Sequence, residues 1–265
     1  MTVPPLHMLI IGNSHVGAVR LAYAAAPGRW PGVDALFIGL PGWHMADLTM
    51  DGGILRPLND KAAVALREYN QIEELDLSDF AAFAVVGGHA FRHSARFVTD
   101  HVCPDLPSAG GASARRQLVS RDFLTRALAE RLGFPAANRV HRRLSALGRP
   151  MIMAPEPMPS AGCRAAPDDY GDYLDLVDRG DHSTWTQIYR AVWAETLGAD
   201  TTVLDWPAAA LVDGAFTRTD LMRGSMTLLP SASQRHPDGE YAHANAAYGA
   251  LVMDQIAAAA AGLQS

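Results

Sequence analysis

Short apolar runs alternate with helix-like stretches along most of this chain. The first run is closed by Gly12, and the helical pattern after it ends at Pro27-Gly28. The predicted strands are 8–11, 35–38, 80–86, 150–154 and 202–205. The predicted helices are 16–26, 61–69, 123–131, 138–147, 185–197 and 244–261. For the helix at 185–197, Thr184-x-x-Gln187 has the form of a capping box.

The predicted strands are almost wholly apolar, which is typical of a parallel sheet covered on both faces. Their alternation with helices predicts an α/β fold with a central five-stranded parallel sheet. Ligands in such sheets bind at the carboxyl ends of the strands, where glycine-bearing turns follow the first three strands. We expect a single domain, 1–265. Two segments with little periodicity, 91–120 and 156–181, are expected to be long loops that act as lids or binding loops.

Composition narrows the classes of partner and location. The formal net charge is −6 and Lys61 is the single lysine, so no basic stripe for nucleic acid is expected. No apolar stretch approaches the ~20 residues needed to span a membrane, and no signal peptide is recognisable at the start. We expect a cytoplasmic protein in which Cys103 and Cys163 are reduced thiols rather than a disulfide or zinc ligands.

Gly12-Asn13-Ser14-His15 directly follows the first predicted strand and opens the first predicted helix. A serine at such an elbow suits a nucleophile, because the helix N-terminus and the Ser14 backbone N–H can stabilise an oxyanion. The simpler interpretation of Ser14 is a helix cap. Near the other end of the chain, Glu240 lies three residues before His243, just ahead of the last predicted helix. A carboxylate there can accept from one ring nitrogen and leave the other facing a serine.

Taken together, Gly12-Asn13-Ser14-His15 and His243-x-Asn245-x-x-Tyr248-Gly249 resemble the SGNH (GDSL-like) hydrolase superfamily over the whole chain. The resemblance implies a flavodoxin-like three-layer α/β/α sandwich. It makes Ser14 the nucleophile, His243 the general base and Glu240 the triad acid, in place of the family's aspartate. Asp238 is the alternative acid.

The resemblance also implies oxyanion donors from two further blocks. After the second strand, the donor is the backbone N–H of Gly42, and Gly39 is the alternative. Trp43 and His44, directly after Gly42, could line an acyl pocket, although an aromatic residue beside a turn is more often simple packing. The family's G-x-N-D block aligns with Gly87-Gly88-His89-Ala90, so His89 replaces the asparagine donor and the aspartate is absent. Because losing one oxyanion donor typically costs around 10²–10³ in kcat, this departure bears directly on the rate.

Two other kinds of site are not expected. His89, His93 and His101 are spaced so that a helix could present two of them to a metal, but no H-E-x-x-H is present and no carboxylate lies between them. Gly12-x-x-x-x-Gly17 lacks the lysine of a phosphate-binding loop. We therefore expect no metal and no cofactor.

The sequence thus favours a serine esterase, or acyl hydrolase, that cleaves a small ester, with an O-acyl group on a carbohydrate as the preferred substrate class. Two alternatives stay open. One is an O-acyltransferase on the same scaffold, and the other is a catalytically weakened glycan-binding module, which the departures at His89 and Glu240 make credible. No prediction of the oligomeric state follows from the sequence.

Overall fold

The structure is a computed structural model that describes residues 4–89, 91–111, 116–228, 234–237 and 239–264. Within these residues the strands are β1 (Leu6–Gly12), β2 (Val33–Gly39), β3 (Leu48–Asp51), β4 (Ile54–Pro57), β5 (Leu75–Asp76), β6 (Ala82–Val86), β7 (His101–Val102), β8 (Gln117–Leu118), β9 (Met151–Ala154), β10 (Thr201–Val203), β11 (Leu211–Val212) and β12 (Phe216–Thr217). The helices are α1 (Val16–Ala25), α2 (Asp60–Asn70), α3 (Phe91–Ser94), α4 (Arg96–Asp100), α5 (Arg121–Leu132), α6 (Ala136–Ser145), α7 (Pro167–Asp178), α8 (His182–Leu197) and α9 (Ala246–Gly262).

A five-stranded sheet forms the centre of the fold. Its strand order is β2-β1-β6-β9-β10, and every neighbouring pair is parallel. Counted along the chain within this sheet, the order is 2-1-3-4-5, which is the flavodoxin-like arrangement. Each of the five predicted strands corresponds to one of these strands, and the prediction of a central parallel sheet is confirmed.

Side chains of β1 alternate between the two faces of the sheet. Leu9 and Ile11 belong to a first hydrophobic core on one face, while Met8 and Ile10 belong to a second core on the other. All four side chains are fully buried. Successive residues of a strand point to opposite faces, so a strand without polar positions has to be covered on both sides.

Helices provide that cover on both faces. The second core includes residues of α1 and α9, and the first core includes residues of α5, α6 and α8. The α1 and α9 backbones approach closely, because a Cβ added to Gly249 would lie 2.0 Å from the carbonyl oxygen of Ala18. The three layers of helix, sheet and helix agree with the predicted α/β/α sandwich.

The expectation that 91–120 and 156–181 are long loops is wrong, because both segments contain helices. The first holds α3 and α4, and the second holds α7, whose first position is Pro167. Buried Tyr170, Tyr173 and Leu174 have the spacing of one helix face. Pro167 at the first helical position and acidic residues in the first turn are ordinary start signals, which the sequence carries.

The predicted capping box is also wrong. Helix α8 begins at His182, so Thr184 and Gln187 lie inside it. The residue before the helix, Asp181, is fully buried, and its carboxylate accepts from the N–H and hydroxyl of Ser108 instead of capping the helix. Helix α8 therefore begins without a side-chain cap from Asp181, whose carboxylate is used in a tertiary contact.

Two further observations concern the expected absence of a membrane-spanning segment and the state of the two cysteines. Among the described residues, no helix combines the length and the apolar character required to cross a bilayer. Cys103 and Cys163 are both buried free thiols.

Candidate active site

Ser14 lies in the turn between β1 and α1, at the carboxyl edge of the sheet. Gly12 pairs with Gly39 of β2 and with Val86 of β6, so three strands end at the same level. A Cβ on Gly12 would lie 2.3 Å from the carbonyl oxygen of Val86, which requires glycine at this position. At the start of α1, Oδ1 of Asn13 accepts from the His15 N–H, and the His15 side chain makes no cap bond. No cap bond of the Ser14 hydroxyl is found among the described residues.

The Ser14 hydroxyl instead contacts His243, which lies 229 positions further along the chain. Its Oγ is 2.8 Å from Nε2 of His243. Asn245 holds the segment that carries this histidine: its Oδ1 accepts from two N–H groups of the first turn of α9, and its Nδ2 donates to the carbonyls of Asp220 and Arg223. The ring that faces Ser14 is thus placed by a helix cap that is bonded to a neighbouring loop.

Glu240 lies on the other side of the His243 ring. Its Oε1 is 3.3 Å from Nδ1 of His243 and accepts from the backbone N–H of Ala242 at 2.7 Å. Nδ1 is buried, and at 3.3 Å from Oε1 it is at the long end of hydrogen-bond distance, with no better-directed partner among the described residues. The His243 side chain, together with the Ala242 N–H, holds the pKa of Glu240 at about 2. The other predicted acid, Asp238, lies outside the described residues.

Two further imidazoles stack on the His243 ring. The His15 centroid is 4.9 Å away with an interplanar angle of 19°, and the His236 centroid is 4.2 Å away with an angle of 11°. Burial, followed by the charge of His243, lowers the pKa of both His15 and His236. Both rings therefore stay neutral at neutral pH and add no positive charge beside a protonated His243.

One group of three among the described residues has ligand atoms close enough together for a metal ion: His236, Glu240 and His243. The lone pair of an imidazole nitrogen lies in the plane of its ring. Two rings stacked within 11° of parallel do not direct their lone pairs at one ion. Binding a metal here requires a ring to rotate away from its stacked position. His89, His93 and His101 form no such group within the described residues.

A cavity of about 290 Å³ opens beside Ser14. Its lining includes four residues predicted from the sequence to belong to the site: Ser14, Gly42, His89 and His243. Gly42 has a φ of +56°, a left-handed turn that favours glycine, and the neighbouring Trp43 also lines the cavity. A larger cavity of about 890 Å³ lies elsewhere, against α7 and α8, and contains none of the four.

His89 is buried and uses its ring nitrogens away from Ser14. Its Nε2 accepts from the backbone N–H of Glu156 at 3.2 Å, and its Nδ1 lies 3.4 Å from the hydroxyl of Tyr189. Burial lowers the pKa of His89 to about 3, so the ring is neutral. With Nε2 used as an acceptor, that nitrogen has no hydrogen to donate to an oxyanion. The predicted oxyanion role of His89 stays a prediction, and these hydrogen bonds weigh against it.

Glu156, to which the sequence assigns no role, lies in this cavity directly after β9. Its backbone N–H bonds to His89, and its carbonyl accepts from Nε1 of Trp206 at 2.7 Å. Its carboxyl lies 3.6 Å from Nε2 of His15. Burial raises the pKa of Glu156 to about 8 against the opposing charge of Arg92, so this acid is mostly protonated at neutral pH.

The two site residues that were not predicted, Glu156 and His236, differ in how much of a signal the sequence carries. Glu156 lies in the proline-rich turn after the fourth predicted strand, at the edge where ligands bind, and this position was the available signal. His236 belongs to no motif and follows no strand of the sheet.

We compared the chain with protein-family models, with curated proteins and with solved structures, and none matched. A function for the site has to be inferred from its own geometry.

Proposed function

We propose that this chain is a serine esterase, or acyl hydrolase, with Ser14 as nucleophile, His243 as general base and Glu240 as acid. The observation that carries the proposal is the 2.8 Å contact between Ser14 Oγ and His243 Nε2. It joins the two ends of the chain at the carboxyl edge of a parallel sheet, where such folds bind their ligands. A nucleophile bonded to a base, with an acid on the base's other side, is the arrangement that activates a hydroxyl.

The chemistry has two half-reactions. Ser14 Oγ attacks the ester carbonyl while its proton passes to Nε2 of His243, and that proton then goes to the leaving alcohol oxygen as the ester C–O bond breaks. Water next attacks the acyl-enzyme, again losing a proton to Nε2, and the carboxylic acid leaves as Ser14 regains its hydrogen. Glu240 favours each transient imidazolium through its charge.

Stabilisation of the oxyanion is assigned to backbone groups. Ser14 precedes α1, whose N-terminus carries a partial positive charge at this edge, and the first proposed donor is the backbone N–H of Ser14 itself, because the N–H groups of Val16 and Gly17 donate to backbone carbonyls. Gly42 lines the same cavity in a left-handed turn, which suits a second backbone donor. Because Nε2 of His89 acts as an acceptor, we expect two backbone N–H groups, rather than the His89 side chain, to form the oxyanion hole.

The substrate we propose is a small ester, and the SGNH resemblance favours an O-acyl group on a carbohydrate. A cavity of about 290 Å³ lies at the low end of the range for ligand pockets, which suits a short acyl group. An acyltransferase would form the same acyl-enzyme and pass the acyl group to an acceptor hydroxyl instead of water.

Hydrolysis of a panel of short 4-nitrophenyl esters tests this proposal. We expect Ser14→Ala to lose nearly all turnover while staying folded by circular dichroism. Ser145→Ala is the matched control, because Ser145 is an exposed residue at the end of α6 and should turn over esters like the wild type. Wild-type turnover by Ser14→Ala would contradict the proposal. Tight glycan binding without turnover by the wild type would favour the binding-module alternative.

A further inference from the structure

Arg92 occupies a fixed position at the edge of the catalytic cavity. It is the second residue of α3, and the residue before it, Phe91, is buried. The Phe91 ring lies 4.9 Å from the ring centroids of both Tyr189 and Trp206. Because this aromatic contact anchors the start of α3, the Arg92 side chain leaves from a rigid point beside the cavity that it lines with Ser14.

The guanidinium of Arg92 makes a cation–π contact with the ring of Tyr170. Its central carbon lies 4.9 Å from the centroid of Tyr170, which is buried in α7. A guanidinium stacked on an aromatic face is covered on that face but keeps its N–H groups free along its edges. Those N–H groups form a planar fork that matches a carboxylate.

The charge of Arg92 has no close partner within the part of the chain that the structure describes. No carboxylate oxygen among those residues lies within 4.0 Å of its guanidinium, and no hydrogen bond to it is found there. Eight of the described arginines, by contrast, have a carboxylate within that distance: Arg29, Arg56, Arg116, Arg121, Arg164, Arg179, Arg190 and Arg218.

Nearby acids do not cancel this charge inside the cavity. Glu156 lines the same cavity, but burial raises its pKa to about 8, which leaves it mostly neutral at neutral pH. Asp168, Asp169 and Asp172 line a different cavity of about 250 Å³ that Arg92 also borders. They belong to the first half of α7, whereas Glu156 is the single carboxylate that lines the cavity shared with Ser14 among the described residues.

We infer that the ester cleaved at Ser14 carries a carboxylate, and that Arg92 binds this group through its guanidinium. The inference rests on the proposed function and names the class of substrate. The carboxylate belongs either to the acyl part, as in a half-ester of a dicarboxylic acid, or to the alcohol part, as in an acylated hydroxy acid. Both place the same anionic group beside a reacting carbonyl.

Matched ester pairs test the inference and distinguish the two sources. The acyl pair is 4-nitrophenyl hydrogen glutarate and its neutral terminal amide, and the alcohol pair is 4-acetoxybenzoate and 4-acetoxybenzamide. The rate of spontaneous hydrolysis is subtracted for each. We expect the wild type to prefer the anionic member of one pair in kcat/KM by about 10-fold or more, because charge-assisted hydrogen bonds are strong.

Variants of Arg92 connect that preference to the guanidinium. Arg92→Gln should lower kcat/KM for the anionic ester by about 10- to 100-fold more than for its neutral partner, and Arg92→Lys should fall between. Arg121→Gln is the matched control, since Arg121 is exposed and paired with Asp105, and should keep the wild-type preference. An equal effect of Arg92→Gln on both members of each pair, or no wild-type preference in either pair, would overturn the inference.

The same four esters distinguish failure of the esterase proposal from failure of the inference about Arg92. Cleavage of neutral esters that depends on Ser14 but is indifferent to substrate charge leaves the esterase proposal standing and removes the role of Arg92. Cleavage that survives in Ser14→Ala, or no cleavage of any of the four esters by the folded wild type, contradicts the esterase proposal and the inference together.

Discussion

Replacing Glu240 with alanine removes the carboxylate that favours a protonated His243. The pKa of Glu240 is about 2 against an ordinary value of 4.5, a difference of 2.5 units. At 1.36 kcal/mol per unit, this is a net ~3.4 kcal/mol in favour of the carboxylate, after the opposing cost of burying it. Part of it comes from the Ala242 N–H, and the Glu240 side chain is 28% exposed, so solvent screening reduces the share of His243. We take that share as ~1–2 kcal/mol.

The interaction of ~1–2 kcal/mol between Glu240 and His243 sets the expected loss of rate, because His243 becomes positively charged as it takes the proton of Ser14. We expect Glu240→Ala to lower kcat/KM for a 4-nitrophenyl ester by about 5- to 30-fold. Asp238→Asn, measured beside it with the same ester, tests the alternative acid and should change kcat/KM by less than about 2-fold. Steady-state hydrolysis at pH 8 is the assay, with circular dichroism to establish folding.

Two results would refute this reasoning. A wild-type rate for Glu240→Ala together with a large loss for Asp238→Asn would assign the acid to Asp238. A loss of more than about 10³ for Glu240→Ala would show that Nδ1 forms a strong, direct hydrogen bond to Glu240 in the reacting complex, which a 3.3 Å contact screened by solvent does not provide.

Four further substitutions have effects on stability that the structure also predicts. Glu156→Gln should stabilise the protein by about 1–3 kcal/mol at pH 7. The Glu156 carboxyl ionises above a pH of about 4.5 in the unfolded chain but stays protonated up to about 8 in the folded protein. The wild type therefore loses stability as pH rises through this range, and the glutamine variant does not. Urea unfolding from pH 5 to 8 measures the gain, and a variant less stable than the wild type at pH 8 would contradict it. His89→Gln should make the protein less sensitive to acid. The pKa of His89 is about 3 in the folded protein and about 6.5 in the unfolded chain, so the unfolded chain binds the proton first as pH falls. This difference costs the wild type ~2 kcal/mol of stability at pH 5. Unfolding free energies at pH 7 and pH 5 check this, and an unchanged difference between the two would count against it. Gly249→Ala should destabilise by about 2–4 kcal/mol because its Cβ would overlap the Ala18 carbonyl, whereas Gly171→Ala in α7, where a Cβ meets nothing within 4 Å, should stabilise by ~0.5–1 kcal/mol. Thermal unfolding separates the two, and equal shifts of Tm would contradict the close approach of α1 and α9.

Four strands of the sheet, β1, β2, β6 and β9, could be predicted from the sequence because they are mostly apolar runs that end at or directly before glycine or proline. The strand β6 is wholly buried, and its apolar run stands out from the polar segments around it. The helix α7 was missed although it has an ordinary start and one apolar face. Its pattern is interrupted by Gly171 and by five aspartates, which lower the apparent periodicity of the segment.

The two ends of the candidate site could be predicted because each lies at a recognisable boundary. Ser14 follows a strand and precedes a helix, and His243 precedes the helix capped by Asn245. Glu156 and Arg92 could not be assigned a role in this way, because their positions depend on tertiary contacts. The Glu156 backbone is held by side chains 67 and 50 positions away, and the sequence alone does not show that such distant residues meet.

The most direct test of the account is covalent labelling with a fluorophosphonate, followed by intact mass spectrometry, because labelling requires an activated serine and no knowledge of the substrate. The wild type should gain one adduct, which peptide mapping places on Ser14. Ser14→Ala should gain none, His243→Ala should label much more slowly, and Ser145→Ala should label like the wild type. A folded wild type that stays unlabelled, or an adduct on another residue that persists in Ser14→Ala, would contradict the assignment of Ser14 as a nucleophile activated by His243.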